Sequence, residues 1–188
     1  TMFACEQAGI SPDFLCLSKG LTAGYLPMSA VLTTDDVYGA FYDEYSKLNA
    51  FLHSHSYCGN PLACTAALAS LDIFRDENVL ARVQQLSQSL AAAVTRFAEH
   101  PNVTDIRQRG SIVAIEFARD RATREPFAWR ERRHLRIYRH ALEKGVLLRP
   151  LGNVIYFMPP YIVTSEEIGL MVDVAATGLE LAVRDVAG

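Results

Sequence analysis

The sequence predicts an α/β fold in two parts. Short apolar runs of strand length alternate with segments whose apolar residues recur every three or four positions, as on one face of a helix. The pattern changes near Pro101, where a long helical segment ends and strand-like segments begin. A chain of 188 residues is long enough for one large domain or two small ones. We therefore expect one domain over residues 1–100 and a small α/β domain over residues 101–188.

The first predicted elements are two short strands. Phe14–Leu17 is an apolar run that ends at Ser18, Lys19 and Gly20, which indicates a buried strand that opens into a loop. Residues 29–33 form the second strand, followed by a short helix over 35–42. Lys19 is therefore expected at the end of a strand.

Two helices follow. Asn60 is a typical N-cap residue and Pro61 suits the first helical position, so a helix is predicted from there to about Phe74. The next helix has one apolar stripe that stops before Pro101. The stripe consists of Val79, Val83, Leu86, Leu90, Val94 and Phe97. We expect this long helix to bridge the two domains.

The second domain is predicted to contain four strands and two helices. The strands are expected at residues 103–107, 111–118, 146–148 and 154–158, with turns at Gly110 and at Gly152-Asn153. One helix surrounds Leu135 and Leu142 and is closed by Gly145. The last begins at a capping box of Thr164 and Glu167 and runs through Val183.

The composition excludes several classes of function. Eighteen basic and 21 acidic side chains leave a net charge of −3, too little positive charge for nucleic-acid binding. The sequence has no apolar run of the roughly 20 residues that span a bilayer and no secretory signal pattern, so a cytoplasmic protein is expected. The four cysteines form no CxxC pair, which favours buried, reduced thiols over a disulfide or zinc framework.

Lys19 is the first candidate for chemistry. A lysine amine attacks a carbonyl only when it is neutral, and apolar surroundings favour the neutral form. A cofactor such as pyridoxal phosphate uses a lysine of this kind to form a Schiff base, and Gly20 and Gly24 would let a flat ring approach the backbone. The alternative is an ordinary surface lysine at the end of a strand.

The loop over residues 51–59 is the second candidate. Ser54 and Ser56 supply hydroxyl groups beside the predicted helix start at Asn60, an arrangement that suits a phosphate. A metal site is disfavoured because His53 and His55 lack a third ligand at matching spacing. The alternative is a surface loop with a capped helix.

Arg149 follows an apolar segment, with Tyr156 beyond the next turn. An arginine at this position can bind a carboxylate through two parallel hydrogen bonds, although a structural arginine paired with an acid is the commoner case. Five further arginines lie between residues 130 and 139, and we interpret them as a solvated helix face.

Three segments resemble parts of the second half of the class III pyridoxal-phosphate aminotransferases. They are PDFLCLSKGLTAGYLPMSAVLTT, FLHSHSYCGNPLACTAALASLDIF and LLRPLGNVIYFMPPYIVT. The resemblance covers nearly the whole chain. It implies the C-terminal portion of a fold-type-I, pyridoxal-phosphate-dependent transferase, in which residues 1–100 end the large cofactor domain.

The resemblance also implies roles for single residues. Lys19 matches the lysine that binds pyridoxal 5'-phosphate and transfers the proton, and Ser56 matches a hydroxyl residue that reaches the cofactor phosphate of the neighbouring subunit of a homodimer. Arg149 matches an arginine that binds the substrate carboxylate, and Tyr156 lies in the same substrate-binding segment. The MPPY segment is similar to the corresponding segment of family members that aminate 8-amino-7-oxononanoate in biotin synthesis. Most of these members use S-adenosylmethionine as the amino donor, and a few use lysine.

Some parts of the family's site are missing from the sequence. An aspartate for the pyridine nitrogen, a Gly-Ser phosphate turn and a stacking aromatic residue lie in the family upstream of the position that matches Thr1. We therefore expect a piece of a longer protein with little or no transaminase activity alone. Two alternatives stay open: another class III enzyme for ω-amines such as ornithine, 4-aminobutyrate or taurine, and a non-catalytic dimerisation fragment.

Overall fold

The computed structural model describes residues 1–185, and its helices and strands confirm the predicted α/β character. The elements in chain order are α1 (Ala4–Ala8), β1 (Phe14–Leu17), β2 (Ala30–Thr33), α2 (Asp35–Gly39), α3 (Pro61–Asp76), α4 (Val79–Val94), β3 (Val103–Arg109), β4 (Ile112–Phe117), α5 (His134–Glu143), β5 (Val154–Phe157) and α6 (Ser165–Val183). Strands β1 and β2 form one antiparallel pair, and β3, β4 and β5 form a three-stranded antiparallel sheet. Within residues 1–185, every helix is too short or too polar to cross a membrane.

The chain divides into two compact units, from Thr1 to Leu80 and from Ala81 onward. The division falls at the start of α4, so nearly all of the long helix belongs to the second unit. From the sequence, the domain boundary was predicted at residue 100, after this helix. That boundary stays a prediction about the complete protein, whereas the units of this chain meet at Leu80.

The core of the second unit lies on one face of its sheet. Val113, Ile115 and Phe117 of the central strand β4 are completely buried, and β4 pairs Ile115 with Ile155 of β5. The helices contribute the rest of the same apolar cluster, which includes Leu90, Val94, Ile137, Ala141, Val172, Ala175 and Leu179. Burial of this face provides the main stabilisation of the unit.

Helices α5 and α6 approach each other closely at Gly178. A Cβ atom at this position would lie 3.1 Å from Cγ2 of Ile137 and 3.4 Å from its Cα. The first distance is shorter than most carbon–carbon contacts, so an added side chain would require the Ile137 side chain to shift by a few tenths of an ångström.

Arg133 holds the C-terminal end of α6. Its Nη1 donates hydrogen bonds to the carbonyl oxygens of Ala182, Val183 and Arg184 at 2.8, 3.1 and 3.2 Å, and its Nη2 donates to Asp185 at 2.7 Å. Its Nε donates to Glu131 at 2.6 Å. A cation at this helix end satisfies carbonyl groups that have no partner within the helix and opposes the negative end of the helix dipole.

This arrangement corrects the interpretation of the arginines between residues 130 and 139 as a solvated face. Arg133 is only 4% exposed, and its guanidinium carbon lies 4.0 Å from the ring centre of Phe127. Arg136 Nη1 also donates to the carbonyl of Arg184, at 2.7 Å. Two of the five arginines are therefore structural, and their partners are distant in sequence.

The first unit, in contrast, buries few apolar side chains. Each residue of β1 and β2 is exposed or half-buried, and the buried apolar residues before Ala81 are the small side chains Ala63, Ala67 and Val79. The large apolar residues exposed in this unit include Phe14, Tyr25, Val31, Leu32, Tyr38, Tyr42, Tyr45, Leu48, Phe51, Leu52, Tyr57, Leu62 and Leu68. An exposed set of this size is typical of a surface that contacts other protein.

Two local predictions were wrong. Residues 146–148 show the expected alternation, with Val146 and Leu148 buried and Leu147 exposed, but they pair with no strand among residues 1–185. The Val146 amide instead donates to Ala141 at the end of α5. The cysteines were expected to be buried, yet Cys16 and Cys58 are exposed and the other two are half-buried.

We expect Arg133→Met to lower the free energy of unfolding by about 2–3 kcal/mol, because the change leaves partly buried carbonyls without their charged donor. Urea denaturation followed by circular dichroism measures the loss. Amide hydrogen exchange of residues 176–185 should also accelerate. Arg139→Met, an exposed position on α5, the helix that begins after Arg133, is the matched control and should stay within about 0.5 kcal/mol of wild type. Equal effects of the two variants would contradict the capping role.

The stability should also depend on pH through Arg133. Its hydrogen bonds hold the pKa of Asp185 below the ordinary 3.8 and the pKa of Glu131 below the ordinary 4.5. The unfolded chain binds more protons in acid, so this stabilisation is present above the ordinary pKa values and is lost as pH falls through the lowered ones. Urea midpoints between pH 3 and 7 should fall more steeply in acid for wild type than for Arg133→Met, and parallel curves would contradict this.

Candidate active site

Lys19 lies where the sequence predicted it, just after strand β1. It begins a 3₁₀ turn, Lys19–Thr22, and its backbone has φ 50° in the left-handed region. The turn is fixed by its own contacts. Ser18 Oγ donates to the carbonyl of Met28 at 3.2 Å, and the buried Thr22 donates through Oγ1 to the carbonyl of Leu26.

The left-handed backbone costs roughly 1 kcal/mol for a residue with a side chain. Five other non-glycine residues among positions 1–185 share it, so this conformation alone does not single out Lys19. It marks the point where the chain leaves strand β1 and enters the 3₁₀ turn.

The Lys19 side chain is exposed. Within residues 1–185, the side chain therefore lacks the apolar surroundings that would favour a neutral amine. Among residues 1–185 no carboxylate forms an ion pair with Lys19. The amine is therefore accessible and is not held by an acid, as a group that bonds to a carbonyl compound must be.

Ser56 begins the turn before helix α3 and is exposed. The loop around it is ordered by short-range hydrogen bonds, in which the Tyr57 amide donates to His55 Nδ1 at 3.1 Å and the Cys58 amide donates to the His55 carbonyl at 3.0 Å. Asn60 caps the helix as predicted, with Oδ1 accepting from the Leu62 amide at 2.9 Å. The Ser56 hydroxyl thus stands on an ordered turn close in sequence to a capped helix start.

Arg149 lies in the segment between α5 and β5 and is exposed. The sequence is compatible with a structural arginine paired with an acid or with a carboxylate-binding one. Within residues 1–185 the Arg149 guanidinium forms no ion pair and no hydrogen bond. It lines a cavity of about 300 Å³ together with Pro150 and residues of α5. This position favours the carboxylate-binding interpretation.

Tyr156 lies on the face of the sheet that the helices leave open. It is half-buried and pairs with Ala114 of β4, whereas its neighbours Ile155 and Phe157 point into the core. The same face carries Arg107, which forms ion pairs with Asp105 and Glu116 at 2.7 and 2.9 Å. Arg149 and Tyr156 therefore belong to one segment, but each has a different environment.

The four predicted site residues divide between the units, with Lys19 and Ser56 in the first and Arg149 and Tyr156 in the second. Two polar residues that share the cavity of Arg149, His134 and Tyr138, were not predicted as site residues. Their spacing of four residues in a helix was visible in the sequence and puts them on one face. Their proximity to Arg149 was not visible.

A family model described as Aminotransferase class-III matches residues 1–177. The chain belongs to the class-III aminotransferase family. A relative from Geobacter sulfurreducens, an adenosylmethionine-8-amino-7-oxononanoate aminotransferase, is 47% identical over 187 residues, which are 100% of this chain and 40% of that protein. The enzyme of the same name from Aquifex aeolicus is 44% identical over 173 residues, 92% of this chain and 38% of its own length.

Solved structures of this family have the same fold. The crystal structure of adenosylmethionine-8-amino-7-oxononanoate aminotransferase from Methanocaldococcus jannaschii matches with a TM-score of 0.90 and 39% identity, over 96% of this chain and 42% of that one. The omega transaminase from Pseudomonas jessenii in complex with PMP matches with a TM-score of 0.89 and 32% identity, over 97% and 40%. This chain thus spans about two fifths of the length of these class-III aminotransferases.

Proposed function

We propose that this chain is part of a pyridoxal-phosphate-dependent aminotransferase that converts 8-amino-7-oxononanoate to 7,8-diaminononanoate in biotin biosynthesis, with S-adenosylmethionine as the amino donor. The observation that carries the proposal is the match of the whole chain, at 47% identity, to a protein named for this reaction. Relatives from Aquifex, Anoxybacillus and Helicobacter with the same name are 44–48% identical. The substrate pair is taken from these names.

The residues around Lys19 fit the cofactor. The Lys19 amine is accessible and lacks an acid partner among residues 1–185, and the space that a Cβ would occupy at Gly20 is open. When bound, pyridoxal phosphate supplies an aldehyde carbon for the lysine and an electron-withdrawing ring. Lys19 Nζ would hold that carbon covalently, and once released its amine would move a proton between the substrate carbon that bears the amino group and that cofactor carbon.

Ser56 and a second copy of the chain complete the proposed cofactor site. We assign the Ser56 hydroxyl to the cofactor phosphate of the partner subunit in a homodimer. Two observations support this assignment: Ser56 is exposed on an ordered turn, and the first unit exposes many large apolar residues that an interface would cover.

Arg149 and Tyr156 have the proposed role of binding the oxo-acid substrate. The Arg149 guanidinium has no acid partner within residues 1–185, so it is free to bind a carboxylate through two parallel hydrogen bonds. Tyr156 supplies a half-buried phenol on strand β5. The cytoplasm is the proposed location, and the free state of all four cysteines agrees with a reducing compartment.

Two other functions are separable by experiment. The second candidate is transamination of an ω-amine, which is supported by the similarity to an omega transaminase at 32% identity. A screen of amino acceptors separates this reaction from the amination of 8-amino-7-oxononanoate. The large exposed apolar area of the first unit favours the third candidate, a non-catalytic interaction fragment.

The cofactor lysine can be identified directly. We expect borohydride reduction of the full-length protein with pyridoxal phosphate to leave a pyridoxyl group on the peptide that contains Lys19. Lys19→Asn should abolish the label, since asparagine tolerates the left-handed backbone, while Lys47→Asn, a surface control, should retain it. A label that persists in Lys19→Asn would overturn the assignment.

Activity should require the longer protein. We expect the full-length enzyme to aminate 8-amino-7-oxononanoate with S-adenosylmethionine and the 188-residue chain to show little or no turnover, because it lacks the family's partner for the pyridine nitrogen. A coupled assay for diaminononanoate measures both. Turnover of an ω-amine by the full-length protein without amination of the oxononanoate would favour the second candidate, and turnover by the short chain would contradict the prediction.

A further inference from the structure

The cavity beside Arg149 is built from five residues of the second unit. His134, Leu135 and Tyr138 come from the first half of α5, and Arg149 and Pro150 come from the segment before β5. Its volume of about 300 Å³ is that of a small ligand pocket. His134 and Tyr138 are one helical turn apart, so both side chains face the cavity from the same side of the helix.

The polar groups of this cavity are without partners in the chain. Within residues 1–185, the His134 imidazole, the Tyr138 hydroxyl and the Arg149 guanidinium form no hydrogen bond with another residue. His134 and Tyr138 are half-buried, and no buried side-chain nitrogen or oxygen of the described residues lacks a partner, so their polar atoms are open to solvent. Three donors that line one cavity without an internal acceptor are therefore available to an acceptor on a ligand.

The lining also defines the charge and shape of the ligand. All three polar groups can donate hydrogen bonds, one of them is a permanent cation, and no acidic side chain lines the cavity. Leu135 and Pro150 supply apolar wall on the same surface. A carboxylate at the end of a methylene chain fits the polar and the apolar residues of the lining. Its oxygens can accept hydrogen bonds from the three donors, and the chain can pack against Leu135 and Pro150.

We infer that Tyr138 and His134 bind the substrate carboxylate together with Arg149, and that this cavity takes the terminal carboxylate of an aliphatic oxo acid. The inference rests on the proposed function, since it deepens the role of Arg149 there. It adds two binding residues on α5 and makes the fit of the methylene chain against Leu135 and Pro150 part of substrate selection.

The test uses the full-length enzyme and compares an acceptor with its methyl ester. For Tyr138→Phe, which removes only the hydroxyl, we expect kcat/KM for 8-amino-7-oxononanoate to fall about tenfold, as for a lost hydrogen bond to a charged group. The value for the methyl ester should be unchanged, because the ester lacks the charge. His134→Leu should have the same pattern, and Arg139→Gln, on an exposed part of α5, serves as the matched control.

Two further readouts separate a binding role from a structural one. The urea midpoint of the full-length enzyme should stay at the wild-type value in Tyr138→Phe, since the Tyr138 hydroxyl forms no hydrogen bond within residues 1–185. Nonanoate should inhibit the wild-type enzyme competitively against the acceptor, and its inhibition constant should rise about tenfold in Tyr138→Phe. Equal losses for acid and ester, or a lower urea midpoint, would overturn the inference.

Failure of the inference is distinct from failure of the proposed function. In one outcome, wild type aminates the oxononanoate, Arg149→Met loses the preference for the acid over its ester, and Tyr138→Phe retains that preference. This result would disprove the binding roles of His134 and Tyr138 and leave the proposed function standing. If wild type does not aminate the oxononanoate, and nonanoate does not bind, the proposed function and the inference are both overturned.

Discussion

The register between β4 and β5 is the constraint on which the second unit depends. Pairing Ile115 with Ile155 and Val113 with Phe157 sends these four side chains to one face, where helices α4, α5 and α6 cover them. The same alternation sends Tyr156 to the other face. A slip of one residue would exchange the two faces and put a phenol into the core. The position of a proposed substrate residue is thus fixed by the packing of its apolar neighbours.

The two units obtain their stability in different ways. The second has a continuous apolar core and a buried arginine that ends its last helix. The first has a two-stranded sheet without a buried large residue and exposes many aromatic side chains. A two-stranded sheet is marginal by itself, and the first unit has little apolar burial of its own to stabilise it. Lys19 and Ser56, the proposed cofactor residues, lie in this less buried unit.

Local signals in the sequence were reliable, and long-range contacts were not visible in it. The Asn60 cap, the Thr164–Glu167 capping box and strands β1 to β5 follow from neighbouring residues and were predicted. The role of Arg133 was missed because its partners lie 49 to 52 residues away. Residues 146–148 alternate like a strand but have no paired strand, and alternation reports burial rather than pairing. For the candidate site, Lys19 was predicted at the end of a strand and Arg149 after an apolar segment, as the structure has them, whereas their exposure depends on tertiary contacts.

The sequence contains a single tryptophan, and its placement gives the second unit an intrinsic optical probe. Trp129 is 79% exposed, with the Arg130 guanidinium carbon 5.5 Å from its ring centre, and it shares a cavity with His134, which also lines the one beside Arg149. Tryptophan fluorescence of this chain therefore originates next to α5, and the first unit contributes none of it. Spectral changes in this 188-residue chain can be assigned to one neighbourhood without labelling, and a ligand near His134 can be followed separately from the absorbance of a cofactor at Lys19.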